Sequence, residues 1–401
     1  MKLNTSILSV IACLLLIIKG NDAFTILHPD KDSLAGLSKE KVSKDTLENN
    51  FDSALISGSN KQVGKNGPSG KDSSFFKRIA EYNLSNENNI IQGALGFSNK
   101  GHLINAYYFP GITTKRAMVI GGVHGSELSA IEVADELIAQ LKQGIKPYYS
   151  VIVIPCLFPD NAATAINNAD LIGTVNNIGR YSCDTAIDPN RQMPTPGKNF
   201  DANNPTDHFE RAIEHENRLL LELITQYRPE RLVNLHAIRN TSLAGIYADP
   251  RADHNGYSLG FEEDSSLAIS MAKYISSHGG YVPGNRLHDH PTALYYSDPV
   301  PAPKGVFQKR KIAGSSLCGH RGDGISLGSW GSTAIEDTEH PENNRDAIHL
   351  ITAEFPGSKR PLDYSIKTER EYIEMEVELY ASSIVHIFLQ AEKPFSEIAR
   401  N

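Results

Sequence analysis

Four stretches of this 401-residue chain are short, bounded by turn-forming residues and predominantly apolar without alternation: 117–120 (AMVI), 151–155 (VIVIP), 231–235 (RLVNL) and 349–353 (HLITA). A strand with one face in water alternates; a run without alternation has both faces covered. Helical spacing fills the intervals. Residues 127–143 carry Leu128, Ile131, Ala134, Leu137, Ile138 and Leu141 along one stripe, with Ser126 as a cap and Gly144 as a stop. A second helix is expected over 211–227, ending at Arg228-Pro229, and a long amphipathic third over 367–389. Covered strands alternating with helices give an α/β fold, a sheet with helices on both sides. In open sheets of this kind, sites gather at the carboxyl ends of the strands.

Length and composition narrow the setting. The length admits two domains, although one α/β domain of about 300 residues is ordinary. With 40% apolar and 21% charged residues, the chain can bury a large core. Thirty-nine basic against 47 acidic residues give a net charge of −8 with no Lys/Arg block, which speaks against nucleic-acid partners and a polybasic membrane anchor. Residues 7–18 form an apolar run behind Lys2 and ahead of Lys19, Gly20 and Ala23. This run is too short to cross a bilayer, which takes about 20 residues, but fits the core of a secretory signal. Residues 1–23 therefore read as a signal peptide, with an uncleaved anchor as the alternative. The mature chain is expected to be secreted or periplasmic, without stable membrane insertion after cleavage. Residues 24–74 are rich in Lys, Ser, Asp, Asn and Gly and read as a low-complexity linker or propeptide, leaving 75–401 as the folded part. Cys156, Cys183 and Cys318 remain after the signal; their number is odd and they lack metal-ligand spacing, so cysteine does not carry the chemistry. A Cys183–Cys318 bridge is left open.

Three strand ends hold metal-capable groups. After AMVI comes Gly-Gly-Val-His124-Gly-Ser-Glu127, an HxxE pair leading into a helix; after RLVNL comes His236; HLITA ends in Glu354. Two imidazoles and one carboxylate leave a coordination position for water, the arrangement of catalytic zinc, so one Zn2+ ion is the expected cofactor. A carboxylate outside the ligand set can take the proton of a water, and Glu354 is the candidate. An HxxE pair alone is weak, and any one of 14 histidines can be a surface or core residue; the coincidence at one sheet edge is what carries weight. Between these lie Arg180 and Asp188-Pro189-Asn190-Arg191. A buried Asp188 would fix the tautomer of a ligating histidine. Asn190 with Arg191 suits a substrate carboxylate, since guanidinium binds it through two parallel hydrogen bonds. Asp-Pro-Asn is also ordinary chemistry for a solvated turn.

Taken together, these stretches resemble the zinc carboxypeptidase family. Within it they resemble the bacterial murein peptide amidase branch, which cleaves the γ-D-glutamyl–diaminopimelate bond of cell-wall peptides. GGVHGSE looks like the family's first metal motif, DPNR like its carboxylate-binding motif, and SLGSWGSTA followed by HLITAEFPG like the branch's closing segment. The resemblance covers about 95–389 and implies an α/β/α sandwich with a mixed, mostly parallel sheet. It implies His124, Glu127 and His236 as metal ligands and Asp188 as support for His124. Asn190 and Arg191 would hold the substrate carboxylate, Arg180 would polarise the scissile carbonyl, and Glu354 would be the general base. The substrate would be a peptide or cell-wall peptide. Two departures stand out. The family's mobile tyrosine nine residues before Trp330 is replaced by Arg321, and the floor of the specificity pocket is Gly328, which leaves room for a long or polar side chain. Residues 249–319 are unmatched, with His254, His288 and His290 expected on loop surface.

The main expectation is an exported zinc metallopeptidase acting next to a carboxylate-bearing residue. One alternative is a deacylase of the succinylglutamate desuccinylase and aspartoacylase type, whose third-ligand segment LHAIRNTS somewhat resembles. The other is a non-catalytic binding module on the same scaffold.

Overall fold

The apolar runs become the middle of one seven-stranded sheet. Its strands are β1 Ile91–Phe97, β2 Leu103–Phe109, β3 Arg116–Ile120, β4 Ser150–Ile154, β5 Arg231–Ile238, β6 Gly245–Asp249 and β7 His349–Pro356. The order across the sheet is β1-β2-β4-β3-β5-β7-β6. β4, β3, β5 and β7 pair in parallel, while β1–β2, β2–β4 and β7–β6 are antiparallel. The sheet is thus mixed, with a parallel centre and antiparallel margins. The computed structural model describes Phe75, Ile79 and residues 90–174, 178–181, 187–259, 261–287 and 322–391. All of these fall within the unit Leu55–Asn401, and it alone is described. The expected signal and linker (1–74), together with Cys183, His288, His290, Cys318 and Arg321, lie outside the described residues.

Helices cover both faces. One apolar cluster packs Val119, Val233, Leu235, Ile351 and Phe355 against α1 (Leu128–Lys142), α4 (Phe261–Ser277) and α6 (Lys367–Ser383). The other packs Met118, Ile120, Ile152, Leu232 and Leu350 with Leu220 and Ile224 of α3 (His215–Tyr227) and with Trp330 of the short α5 (Leu327–Gly331). α2 is Pro159–Ile166. The continuous burial of β3, β4 and β5 follows from this two-sided cover. No described helix is long and apolar enough to cross a membrane.

Five boundaries differ notably from the sequence reading, three in helices and two in strands. α1 starts at Leu128, not at a Ser126 cap: its capping residue is Glu127, in a non-helical conformation with no side-chain cap bond. The Glu127 carboxylate is instead turned onto two histidines. α3 begins at His215 because Arg211 is engaged with Asp207 in a tight loop, donating from Nε at 2.7 Å. Its end is as expected, with Arg228 in the left-handed region (φ 51°) ahead of Pro229. The helix expected over 367–389 runs to Ser383 and continues as a wider π-type turn, Ile384–Phe388. β5 and β7 are longer than expected and take His236 and Glu354 into the strands themselves.

Candidate metal centre

The parallel register assembles the site. β3 ends at Ile120, and the chain turns sharply through Gly121-Gly122, where Gly122 has φ +62°, a conformation that suits glycine. That turn lifts His124 to the carboxyl edge of the sheet. On the neighbouring strand, His236 pairs in register with Glu354 of β7, so the two side chains rise from adjacent strands on the same face. His124, Glu127 and His236 are all buried, and one potential ligand atom from each lies within 4.8 Å of the others. The two imidazole centroids are 4.9 Å apart.

Glu127 is the hub. Its Oε1 lies 2.9 Å from His124 Nδ1 and accepts from Arg180 at 2.9 Å. Its Oε2 lies 2.8 Å from His236 Nδ1 and accepts from the Ala237 amide at 3.1 Å. The far nitrogen of His124, Nε2, meets Asp188 Oδ1 at 2.7 Å, and the other Asp188 oxygen accepts from Arg180 at 3.1 Å. Asp188 thus faces the side of His124 turned away from the cluster, where a carboxylate fixes ring orientation. Burial alone would lower the His124 pKa, but Glu127 and Asp188 outweigh it and raise it to about 9. Burial would raise Asp188 and Glu127; the imidazoles beside them, with Arg180 and Arg191 also acting on Asp188, hold both well below the usual carboxylate range. Two imidazole nitrogens and a carboxylate oxygen turned toward one another, sheltered from water, are a donor set that fits a divalent metal of the zinc type.

DPNR forms a short 3₁₀ turn, Pro189–Arg191, capped by Asp188, whose Oδ1 accepts from the Asn190 amide at 2.9 Å. The turn is held from below by Asn217, which donates to the Pro189 carbonyl at 2.8 Å, and Asp188 is buried rather than solvated. Asn190 is fixed at both ends of its side chain. Its Oδ1 accepts from the Leu327 amide at 2.9 Å, and its Nδ2 lies 3.2 Å from His236 Nε2. Arg191 Nη1 donates to the Asn190 carbonyl at 2.7 Å.

These groups line one cavity of about 270 Å³, which brings together Arg180, Asn190, Arg191, Gly328 and Glu354 with the three candidate ligands. Three of its lining residues were missed at the sequence level: Asp249, Thr352 and Arg239. Asp249 closes β6 and accepts from the Thr352 hydroxyl at 2.8 Å. A Cβ at 328 would collide with the Asp249 carboxylate, so that carboxylate occupies the space the glycine leaves. The signal for Asp249 was present: GIYAD is a short apolar run between Ala244 and Pro250 that ends in an acid, the same pattern that marked His236 and Glu354. His254 sits on exposed surface, paired with Glu336 at 2.7 Å.

No protein-family model matches the chain, and no curated protein does. Several solved structures are similar to it. The murein-tripeptide amidase from Escherichia coli O157 is 18% identical with a TM-score of 0.37, over 76% of this chain and 93% of that one. Carboxypeptidase A from Helicoverpa armigera is 13% identical with a TM-score of 0.42, over 85% and 81%. A protein from Shewanella amazonensis SB2B assigned to the succinylglutamate desuccinylase/aspartoacylase family is 14% identical with a TM-score of 0.38, over 77% and 76%. These neighbours are of the zinc carboxypeptidase-like fold.

Proposed function

We propose that this chain is a zinc-dependent hydrolase of the carboxypeptidase or murein peptide amidase type, cutting a peptide or amide bond next to a residue with a free carboxylate. The observation that carries the reading is the convergence of His124, Glu127 and His236 with Glu354 in register beside His236.

His124, Glu127 and His236 would hold the ion, which when bound supplies Lewis acidity toward a carbonyl and lowers the pKa of a water. Glu354 is buried on the strand next to His236 and lines the same cavity, so its carboxylate can take the proton of the attacking water and return it to the leaving nitrogen. Arg180 points a guanidinium into the cavity from beside Glu127 and is placed to steady developing negative charge on the scissile carbonyl oxygen. Asn190 and Arg191 would anchor the carboxylate of the departing residue. Asp249, beneath Gly328, supplies a negative charge for that residue's side chain, which favours a cationic group over an anionic one. Export through residues 1–23 and a peptide or cell-wall peptide substrate belong to the same reading.

The test is incubation of zinc-loaded protein with a cell-wall tripeptide, with peptides ending in Lys or Asp, and with N-acyl amino acids, each with and without chelator, reading products by mass. We expect chelator-sensitive release of the C-terminal residue, faster for Lys than for Asp. Turnover of N-acyl amino acids with none of peptides would assign the deacylase reaction instead. Purified protein without stoichiometric metal would return the binding-module reading.

A further inference from the structure

Arg211 is not among the residues that line the cavity, yet it touches two segments that wall it. Its Nη2 donates to the Arg191 carbonyl at 3.1 Å and to the Asp323 carbonyl at 3.0 Å. Arg191 ends the DPNR turn, and Asp323 precedes Gly324 and Ser326; Arg191, Gly324 and Ser326 all face the cavity. One guanidinium nitrogen therefore bridges two stretches that are far apart in the chain and adjacent at the site. They run in direct contact, since a Cβ at Gly324, whose φ is +137°, would strike the Arg191 carbonyl.

The guanidinium is itself aimed. Asp207, whose side chain is 1% exposed, accepts from Arg211 Nε at 2.7 Å through one oxygen. Its other oxygen accepts from the Phe209 and Arg211 amides at 2.8 and 2.9 Å, which closes the 207–211 loop on itself. The guanidinium carbon stands 5.0 Å from the centroid of the Phe209 ring. A planar fork held at Nε and along one face presents its outer nitrogens in a fixed direction. Two neutral bonds join the same segments, from the Met193 amide to the Ile325 carbonyl at 3.1 Å and from the Leu327 amide to Asn190 Oδ1 at 2.9 Å. Arg211 adds a charge-assisted tie, roughly twice as strong as a neutral one. That tie falls on the backbone of Arg191, whose own side chain folds back to the Asn190 carbonyl, so its aim follows the turn. A misplacement of about 1 Å at such a group can cost about 10²-fold.

Resting on the peptidase reading above, in which Arg191 anchors the substrate carboxylate, we propose that Arg211 is a positioning residue for that anchor. It fixes the DPNR turn against the 323–326 segment and so sets where the Arg191 guanidinium stands. It touches no substrate. Its removal weakens the grip on a carboxylate and leaves bond cleavage in the bound complex nearly intact.

The test compares ligands with and without the carboxylate. Lysine and lysinamide, which hold no scissile bond, are titrated into the zinc-loaded full chain by calorimetry. Cleavage is followed on a peptide ending in Lys and on the same peptide ending in lysinamide. The native chain is expected to prefer the acid in affinity and in kcat/KM. In Arg211→Gln, KM for the acid peptide rises about tenfold, the low end for loss of a hydrogen bond to a charged group, while kcat and the amide peptide's kcat/KM stay within about twofold. Arg211→Lys, which keeps a charge beside Asp207 without the fork, recovers part of the preference, to within about threefold of native, and gives the comparison if the glutamine variant does not fold. Zinc affinity of the folded variants stays within about twofold of native. Equal losses on acid and amide, a fall in kcat without a rise in KM, or variants that keep the native ratio overturn the proposal and leave the peptidase reading standing. A native chain that treats acid and amide alike overturns the carboxylate anchor and the proposal with it. A native preference for lysine over lysinamide that falls in Arg211→Gln, without zinc-dependent cleavage of either peptide, overturns the peptidase reading and leaves Arg211 as the brace of an anion site.

Discussion

Strands β5 and β7 turn alternate residues to two faces, and the faces differ in kind. On one, Val233, Leu235 and Ala237 with Ile351, Ala353 and Phe355 are apolar and lie under α1, α4 and α6, and the polar residues that open the strands there are engaged, Arg231 with the Phe388 carbonyl and His349 with Asp264. On the other, the strands begin apolar, at Leu232 and Leu350, and become polar toward their carboxyl ends at Asn234, His236, Thr352 and Glu354. One face is a seal and the other a floor for chemistry. The price of the floor is visible at Asn234, which is 1% exposed with neither amide atom hydrogen-bonded to a described residue, an arrangement that costs stability. A sheet whose second face is fully packed can carry such a cost; a sheet polar on both faces could not.

The contrast can be tested from its strongest point downward. Glu354→Gln is expected to retain stoichiometric metal yet lose about 10²–10⁴-fold in turnover, the range for removing a general base; near-native turnover would take Glu354 out of the mechanism. On the sealed face, Ile351→Ala is expected to cost about 2–5 kcal/mol in denaturant unfolding. Metal affinity of the folded variant should stay within about twofold of native, since the change lies on the opposite face. A large fall in affinity would mean that the two faces are coupled.

Asp188→Asn tests how much of the metal cluster depends on its surroundings. Metal affinity by competition with a chromophoric chelator should fall about 10–100-fold, because His124 loses the carboxylate that orients it. The smallest effect concerns Glu376, a carboxyl on α6 that is 0% exposed. Burial pushes its pKa above the ordinary value, against the Tyr281 amide that donates to it at 3.1 Å. A carboxyl raised in the folded state contributes its full stability below its unfolded pKa of about 4.3 and loses it as pH climbs through the folded value. Glu376→Gln should therefore gain roughly a degree or two in Tm over the native chain at alkaline pH and nothing near pH 4. A gain at pH 4 that vanishes at pH 8 would reverse the sign of the argument.

Much of the site was legible because its residues sit where apolar runs stop. Gly122, His124, Glu127, His236 and Glu354 each follow or end such a run, and residue type alone suggests metal and base chemistry. The β1–β2 hairpin and β6 were not read. The hairpin is half exposed and its alternation is broken by a bulge between Ala94 and Gly96, whereas β6 is a five-residue run like β3 and β4 whose pattern was there to be read. The cap at Ser126 was misread because local preference favours serine there, whereas tertiary contacts draw Glu127 out of the helix and onto two histidines. Gly328 read as open space for the same kind of reason: a missing side chain says nothing about what fills its place.

Sequence alone determined the class of the fold and the identity of the chemical groups, because burial on both faces and metal-capable side chains are properties of short local stretches. The tertiary structure decided that His236 stands opposite Glu354, that Asp249 lies beneath Gly328, and that Arg239 lines the same cavity. Those relations depend on which strands become neighbours and in what register. The order β4-β3-β5-β7-β6 joins segments separated by up to about 120 residues of chain, and no local pattern encodes which of them meet.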